Sequence, residues 1–419
     1  MPSAVYPGSL DPVTFGHIDA IADTARAFGN VVVALGVNPG KTYMFSLAER
    51  EALTRQATAH IPGVSVTSFS GMLVHYLVRN GESIVVRGLR DETDYSDAVR
   101  QDTYGWQQTL AKDVTAFYVP ARPGKEFVSS TSLKVVVKEQ GNAVPLAPLS
   151  TLQATQARML GQYVYGITGP SGAGKTTICR MFGEIAKRRG IPLVHIDLDR
   201  LGHEILSTAD EPLYRKVRAD VVAAFGPQVV NEDGSINRKQ LGQMVFGEAD
   251  KLEQLNAILH DPIFFRLNDM LRGKAGLFLV DAALLAESRR TPLVHNNVLL
   301  VEAPADVLAG RLDQRDDLNA EQVARRVASQ FTADAKAAAV QAAIQDANHG
   351  TLARLVNAPG LPDQQVEEAF DTMMARVDIY GELRITAFLK ALGVADAVGA
   401  YKSVRALYSG HDRFYHGLA

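Results

Sequence analysis

Hydrophobic residues in this chain fall in short runs separated by amphipathic stretches of helix length. Apolar runs at 4–6, 31–37, 64–69, 83–86 and 115–119 read as strands. The segments 17–28, 46–60, 72–79 and 132–140 read as helices. Ser46 and Glu49 form a capping-box pattern at one helix start, and Gly81 and Gly141 stand at two helix ends. Such a repeat predicts a parallel sheet with helices on both faces, and ligands of such sheets bind at the carboxyl ends of the strands.

A second series opens at Tyr163. An apolar run at 163–168 leads through a glycine-rich turn into a helix at 176–189, which stops at Gly190. Further strands are expected at 192–196, 277–280 and 298–301, and further helices at 363–376 and 383–392. Between the series, residues 142–152 are rich in Pro, Ala and Ser and read as a linker, with a short helix at 151–161. The expected class is α/β. A Rossmann-like domain at 1–141 is followed by a linker at 142–162, a second parallel-sheet domain at 163–378 and a helical tail at 379–419.

Composition narrows the class. A length of 419 residues suits about three domains of ~150 residues. A net charge of −3 gives no bulk polycation, so nucleic acid is not an expected partner. The single cysteine, Cys179, excludes a disulfide framework and a cysteine zinc cage, and a buried inert thiol is expected. No apolar run approaches ~18 residues, and Met1 leads almost directly into a strand. A soluble, cytoplasmic chain without membrane contact is therefore expected.

The sharpest chemical signal follows the run at 163–168. Gly169, four residues, then Gly174, Lys175 and Thr176 have the spacing of a phosphate-binding loop between strand and helix. Backbone N–H groups of such a loop close around phosphates, helped by the helix dipole. The ATP-binding candidates here are Gly169, Ser171, Gly172, Ala173, Gly174, Lys175, Thr176 and Thr177. Lys175 is placed to reach the β- and γ-phosphates, and the Thr176 hydroxyl to hold Mg²⁺. An incidental glycine turn would not carry the matching strand and helix on either side. Asp197 and Asp199 end the next strand. Asp199 suits the base or orienter of an attacking hydroxyl, and Asp197 is a candidate metal ligand. Either is also an ordinary helix cap. Arg311 and Arg315 can close over phosphates as a lid or form a solvated face.

Strand-end loops of the first series supply a second group. Thr14, Gly16 and His17 sit where the first strand yields to the first helix. Lys41 follows the second strand, and Arg87 and Arg90 follow the strand at 83–86. Ser129, Ser130 and Thr131 precede the last helix, where hydroxyls and N–H groups favour anions. A lone His there would most simply be a cap; cations, hydroxyls and one His from four such loops suggest a phosphate site.

Residues 3–141 resemble bacterial phosphopantetheine adenylyltransferase, of the T/HxGH nucleotidyltransferase superfamily. The motifs are Tyr6-Pro-Gly-Ser-Leu-Asp-Pro-Val-Thr-Phe-Gly-His17, Met44-Phe-x-Leu-x-Glu-Arg50, Val86-Arg-Gly-Leu-Arg90 with Asp94-Tyr95, and Val128-Ser-Ser-Thr131 with Lys134. The resemblance implies adenylyl transfer from ATP to 4′-phosphopantetheine, giving dephospho-CoA and pyrophosphate, with Mg²⁺. It assigns Thr14, His17, Arg90, Ser129, Ser130 and Thr131 to ATP. Ser9, Lys41 and Arg87 go to the pantetheine phosphate, and Met72 and Leu73 to its arm. Bacterial relatives form hexamers, so a homo-oligomer is allowed. The stretch 96–105 departs from the family pattern.

The second series resembles dephospho-CoA kinase, specifically the kinase half of eukaryotic bifunctional CoA synthase. The motifs are Ile196-Asp-Leu-Asp-Arg-Leu-Gly-His203, Asp233-Gly-x-Ile-Asn-Arg-Lys239, Val245-Phe-Gly247 and Val280-Asp-Ala-Ala-x-Leu-x-Glu287. The resemblance implies transfer of the ATP γ-phosphate to the 3′-hydroxyl of dephospho-CoA, with Asp199 at the hydroxyl and Arg315 in the lid. The family's late Asn-x-Gly element falls on Asn348 and Gly350, and His260 stands where the family has His-Pro, with Asp261 intervening. At the end, Arg413-x-Tyr-His416 resembles the opening of an HD-type phosphohydrolase domain. Together these imply the last two steps of CoA synthesis. Competing readings are the same architecture acting on nicotinamide mononucleotide or riboside or in sulfate activation, and a non-catalytic nucleotide sensor. The chain lacks the Asn-Lys-x-Asp motif that a guanine-nucleotide switch predicts.

Overall fold

The computed structural model describes residues 3–107, 113–207, 209–245, 248–316 and 331–403. Two compact units divide between Met159 and Leu160. In the first, strands β1 (Ala4–Gly8), β2 (Val31–Gly36), β3 (Val64–Phe69), β4 (Ile84–Leu89) and β5 (Thr115–Pro120) form one sheet in the order β3-β2-β1-β4-β5. Every pairing is parallel. The chain builds outward from β1 to β3, then returns past β1 to lay down β4 and β5. That reversal leaves a crevice at the carboxyl ends of β1 and β4. Val5, Ala34, Leu77 and Val85 are buried together beneath it.

Residues 142–160 do not form a linker. Helix Leu149–Leu160 packs into the first unit, with Leu146, Leu149, Leu152, Ala154 and Ala157 buried. The Leu146 carbonyl accepts from the Phe15 N–H at 3.0 Å, which ties the segment to the start of helix Phe15–Phe28. Arg158 Nη2 reaches Glu49 Oε1 at 2.9 Å, and Nη1 donates to the Met44 carbonyl at 3.1 Å. Pro145 and Pro148 precede this helix, while Ser150 lies within it and is buried along with Leu149, Leu152, Ala154 and Ala157.

In the second unit, β6 (Gln162–Thr168), β7 (Leu193–Asp197), β8 (Gly276–Asp281), β9 (Asn297–Glu302) and β10 (Thr351–Val356) form a parallel sheet in the order β10-β9-β6-β8-β7. All seven residues of β6 are buried, as expected for a central parallel strand. Strand β10 is an addition to the expected elements. Between β7 and β8 lie helices Leu198–Ser207, Pro212–Phe225, Arg238–Val245 and Ala249–Leu271, whose Ile205, Tyr214, Val221 and Ile263 join one core with Phe278 of β8. Gly169 has φ +154°, and a Cβ there would lie 2.1 Å from the Val301 carbonyl oxygen, so only glycine lets the phosphate loop cross β9 this closely. The tail is described as far as residue 403 and contains helix Glu382–Ala391. The Arg413–His416 motif lies outside the described residues. Among the described residues, no helix is long and apolar enough to cross a membrane.

If helix Leu149–Leu160 is part of the first unit, a fragment ending at 160 should melt cooperatively. One ending at 141 should melt at least ~8 °C lower or aggregate, because burying each of Leu146, Leu149 and Leu152 contributes about 1.5–3 kcal/mol. Equal melting of the two fragments, followed by circular dichroism, would show the helix to be dispensable.

Candidate active sites

A cavity of about 470 Å³ opens at the carboxyl edge of the first sheet. Ser9, His17, Lys41, Arg87 and Arg90 line it, as do Ser129, Ser130 and Thr131. Thr14 is fully buried and does not line it. Its role is to hold His17: its backbone N–H donates to His17 Nδ1 at 3.0 Å, and its Oγ1 lies 2.9 Å from the same nitrogen. Nδ1 is thereby an acceptor, so in the neutral ring the proton sits on Nε2. Burial, reinforced by the Arg90 charge, lowers the His17 pKa to about 4. His17 therefore acts at neutral pH as an oriented neutral donor.

Met72 and Leu73 also lie outside the lining. Met72 caps helix Leu73–Asn80 and is 39% exposed, while Leu73 packs against the Val5–Ala34–Leu77–Val85 cluster. Arg87 falls within β4 rather than after it. Asp94 takes the Arg90 guanidinium at Nε (2.7 Å) and Nη2 (2.9 Å), which raises the Arg90 pKa and lowers that of Asp94. Ser129 caps helix Ser130–Lys138 by accepting from the Ser132 N–H, and Ser130 Oγ donates to the Pro12 carbonyl at 2.8 Å. What these residues present to a ligand is mainly a helix N-terminus with its N–H groups.

Several residues of this site have no role assigned from the sequence, although Asp11, Arg50 and Lys134 stand in its motifs. The Asp11 carboxylate accepts from the N–H groups of Met44 and Phe45, both at 2.9 Å, and from Lys134 Nζ at 2.9 Å. Arg50 is 1% exposed; its Nη1 donates to the Ser9 carbonyl at 2.6 Å, and its guanidinium lies 4.2 Å from the Tyr43 ring centre. These two buried charges clamp the loops carrying Ser9 and Lys41. Arg122 pairs with Asp19 and Asp23 at 3.0 Å, and Lys125 with Asp19 at 3.0 Å, on the cavity wall. Two cations just after the strand at 115–119 were the available signal.

In the second unit the phosphate loop lies between β6 and helix Lys175–Arg188. Gly172 and Gly174 adopt φ +84° and +86°. Ser171 and Ala173 are buried, while Thr176 and Thr177 are exposed at the first turn. Lys175 Nζ folds back to the Gly169 carbonyl at 3.2 Å. Arg311 Nη1 donates to the Gly172 and Ala173 carbonyls at 3.4 and 3.3 Å. Arg315 falls on the same helix, Ala305–Asp316, but its side chain is outside what is described.

Asp199 Oδ2 accepts from the Ala283 N–H at 2.8 Å. Burial raises the Asp199 pKa against the pull of this bond and of Lys175. Asp197 lies in register with Asp281 on β8, is exposed, and its Oδ1 caps the Arg200 N–H at 2.9 Å. Asp281, present in the Val280–Glu287 motif without an assigned role, is 4% exposed, and its Oδ1 has no hydrogen-bond partner among the described residues. An orphaned buried carboxylate oxygen beside the Thr176 hydroxyl's loop is the donor type that suits a hard divalent cation. Burial pushes the Cys179 thiol up, consistent with an inert role.

The model of the cytidylyltransferase-like family matches residues 5–136, and that of dephospho-CoA kinase matches residues 163–353. Over 154 residues the chain is 36% identical to the phosphopantetheine adenylyltransferase of Psychromonas ingrahamii, covering 94% of that protein and 37% of this chain. Through its first unit, the chain belongs to the phosphopantetheine adenylyltransferase family. The adenylyltransferase of a Synechococcus strain is likewise 36% identical over 155 residues, covering 96% of that protein and 37% of this chain. Two solved structures align less closely overall. TT1252 from Thermus thermophilus has 26% identity over 51% of this chain and 97% of its own, with a TM-score of 0.37. Dephospho-CoA kinase from Campylobacter jejuni has 18% identity over 52% of this chain and 97% of its own, with a TM-score of 0.26. The two units of this adenylyltransferase relative thus carry a nucleotidyltransferase and a dephospho-CoA kinase domain in a bifunctional arrangement.

The late Asn-x-Gly element needs correcting. Asn348 caps helix Ala333–Ala347 at φ +46°, and Gly350 packs against Asn296. It is Asn357, after β10, whose Nδ2 donates to the Ala173 carbonyl at 2.8 Å in the phosphate loop. Asn357 with Gly360 was the signal, hidden because β10 itself was not read. His260 is half exposed and lies 3.0 Å from Asp261 on helix Ala249–Leu271.

An NMR titration of the His17 ring is expected to show a midpoint near pH 4 rather than the ordinary 6.5. His295 and His349 are likewise pushed down, to about 3 and 4. Between pH 6.5 and 4 the unfolded chain binds protons that the folded chain refuses, so stability should fall as pH drops through this window. A His17 midpoint at 6.5 or above would contradict the assigned tautomer and burial.

Proposed function

We propose that the chain performs the last two steps of CoA synthesis at these two sites. The observation that carries the reading is the pairing, on one chain, of an oriented neutral His17 in a cation-lined cavity with a phosphate loop facing Asp199. In the first step a phosphate oxygen of 4′-phosphopantetheine bonds to the α-phosphorus of ATP. The bond from that phosphorus to the α,β-bridging oxygen breaks, and pyrophosphate leaves with the electron pair. No proton has to move, so the protein's work is positioning and charge neutralisation. Ser9, Lys41 and Arg87 hold the attacking phosphate. Arg90 and the helix start at 129–131 hold the β- and γ-phosphates. His17 Nε2–H donates to a non-bridging oxygen of the α-phosphorus, where negative charge grows in the transition state.

In the second step the 3′-hydroxyl oxygen of dephospho-CoA bonds to the γ-phosphorus of a second ATP. The bond to the β,γ-bridging oxygen breaks, ADP keeps the electron pair, and the hydroxyl proton passes to Asp199. The Ala283 N–H holds Asp199 Oδ2, which leaves Oδ1 for that proton. Burial makes the carboxylate a better base than an exposed one. Lys175 leaves the Gly169 carbonyl for the phosphates, and Arg315 belongs to the lid. Mg²⁺ is the expected cation, held by Thr176 and Asp281 with Asp197 alongside, and when bound it neutralises charge on the β- and γ-phosphates.

Supplied with 4′-phosphopantetheine, ATP and Mg²⁺, the protein should form dephospho-CoA and then CoA. His17→Ala should slow dephospho-CoA formation about 10²–10³-fold while leaving phosphorylation of added dephospho-CoA intact. Lys175→Ala should let dephospho-CoA accumulate. Chromatography of both products reads the outcome; a purified protein that makes neither product ends the proposal, and CoA formation by Lys175→Ala removes the loop from the kinase step.

A further inference from the structure

Five buried polar side-chain atoms without a hydrogen-bond partner among the described residues lie between the last residue of β8 and Thr291: Asp281 Oδ1, Glu287 Oε2, Arg290 Nε and Nη2, and Thr291 Oγ1. Folded proteins rarely leave such atoms unmatched; the Asp281 oxygen suits the cation named above, and the two Arg290 nitrogens are the donors left for an anion. The stretch is also firmly held. Lys336, 0% exposed, donates to the Ala283 carbonyl at 2.6 Å and pairs with Glu287. Arg289 adopts φ +53°, and the next N–H, that of Arg290, bonds the Leu285 carbonyl at 3.0 Å. The turn thus sets the Arg290 side chain from a fixed backbone.

Arg290 is the member that names the ligand. Burial lowers its pKa to about 10, and the carboxylate that offsets this is Asp199. Arg290 therefore remains charged at neutral pH and stands near the proposed base. Its two unpartnered nitrogens form the side-on edge of the guanidinium, the edge that takes two oxygens of one phosphate side by side. The phosphates of the donor already have the backbone N–H groups of the glycine loop and Lys175. Arg290 comes instead from the loop after β8, the same loop whose Ala283 N–H holds Asp199. An anion on this side belongs to the molecule whose hydroxyl is being phosphorylated. Adenylyl transfer onto a phosphate leaves that acceptor with two linked phosphates, so the anion is available.

We infer that Arg290 binds a phosphate of the acceptor nucleotide through Nε and Nη2 and so sets the acceptor's sugar hydroxyl against Asp199. The inference rests on the kinase reading given above and adds the acceptor's anchor to it. The test is steady-state kinetics of the full chain with added dephospho-CoA and ATP. Arg290→Met is expected to raise KM for dephospho-CoA at least tenfold while KM for ATP stays within twofold. Arg290→Lys keeps the charge without the paired edge and should fall between. Adenosine, an acceptor with no phosphate, separates anchoring from general damage: the wild type should favour dephospho-CoA over adenosine far more strongly than Arg290→Met does. An unchanged KM for dephospho-CoA, or a rise in KM for ATP instead, overturns the inference. Should Arg290→Met fail to fold, the Arg290→Lys split between the two KM values decides alone. A wild-type protein that does not phosphorylate dephospho-CoA rejects the kinase reading itself, an outcome distinct from any ranking of the variants.

Discussion

A parallel sheet sends every strand out at the same edge, and that edge collects the loops and helix N-termini of each β–α unit. Both units of this chain are built under this constraint. In the first, the order β3-β2-β1-β4-β5 opens the crevice between the ends of β1 and β4, where His17 and Arg90 meet. In the second, the order β10-β9-β6-β8-β7 sets the phosphate loop after β6 next to Asp281 on β8 and two strands from Asp197 on β7. Each site gathers N–H groups and cations where phosphates need them, and neither requires a nucleophilic side chain.

An edge of loops is precise only if the loops are held, and here the restraints are buried. Asp11 and Arg50 fix the loops of the first site by bonds to backbone groups more than thirty residues away for Asp11 and forty-one for Arg50 to Ser9. Arg158 adds a brace to Glu49, whose other carboxylate oxygen closes the cap on Ser46. In the second site the chain of contacts runs from Lys336 to the Ala283 carbonyl and from the Ala283 N–H to Asp199. Burying such charges costs several kcal/mol unless each is paired and hydrogen-bonded, so these residues are tolerated for the geometry they impose. Arg290 differs from these restraints in that two of its buried nitrogens have no hydrogen-bond partner among the described residues.

Much of this was legible in the sequence, because much of it is local. The phosphate loop is a single run with its strand and helix attached, the Ser46–Glu49 cap spans four residues, and Thr14 and His17 are three apart. The resemblance to two consecutive enzymes joined these fragments. What stayed hidden depends on separation along the chain. Asp199 meets Ala283 across 84 residues, and Asn357 meets Ala173 across 184, and no window of sequence contains either pair. The segment at 142–160 misled because Pro, Ser and Ala suit a linker and a short buried helix equally well. Leu73, given to the pantetheine arm by resemblance alone, is partly buried and packs against the cluster around Leu77, a contact between separate elements that no local motif shows.

In the proposed kinase step a hydroxyl-bearing nucleotide sits between Asp199 and the phosphate loop. A crystal structure of the full chain with dephospho-CoA and a non-hydrolysable ATP analogue tests this placement. The analogue's phosphates are expected within the loop at 169–176 and the acceptor's 3′-hydroxyl within hydrogen-bonding distance of Asp199. An acceptor bound with that hydroxyl turned away from Asp199, or phosphates seated elsewhere than the loop, would contradict it.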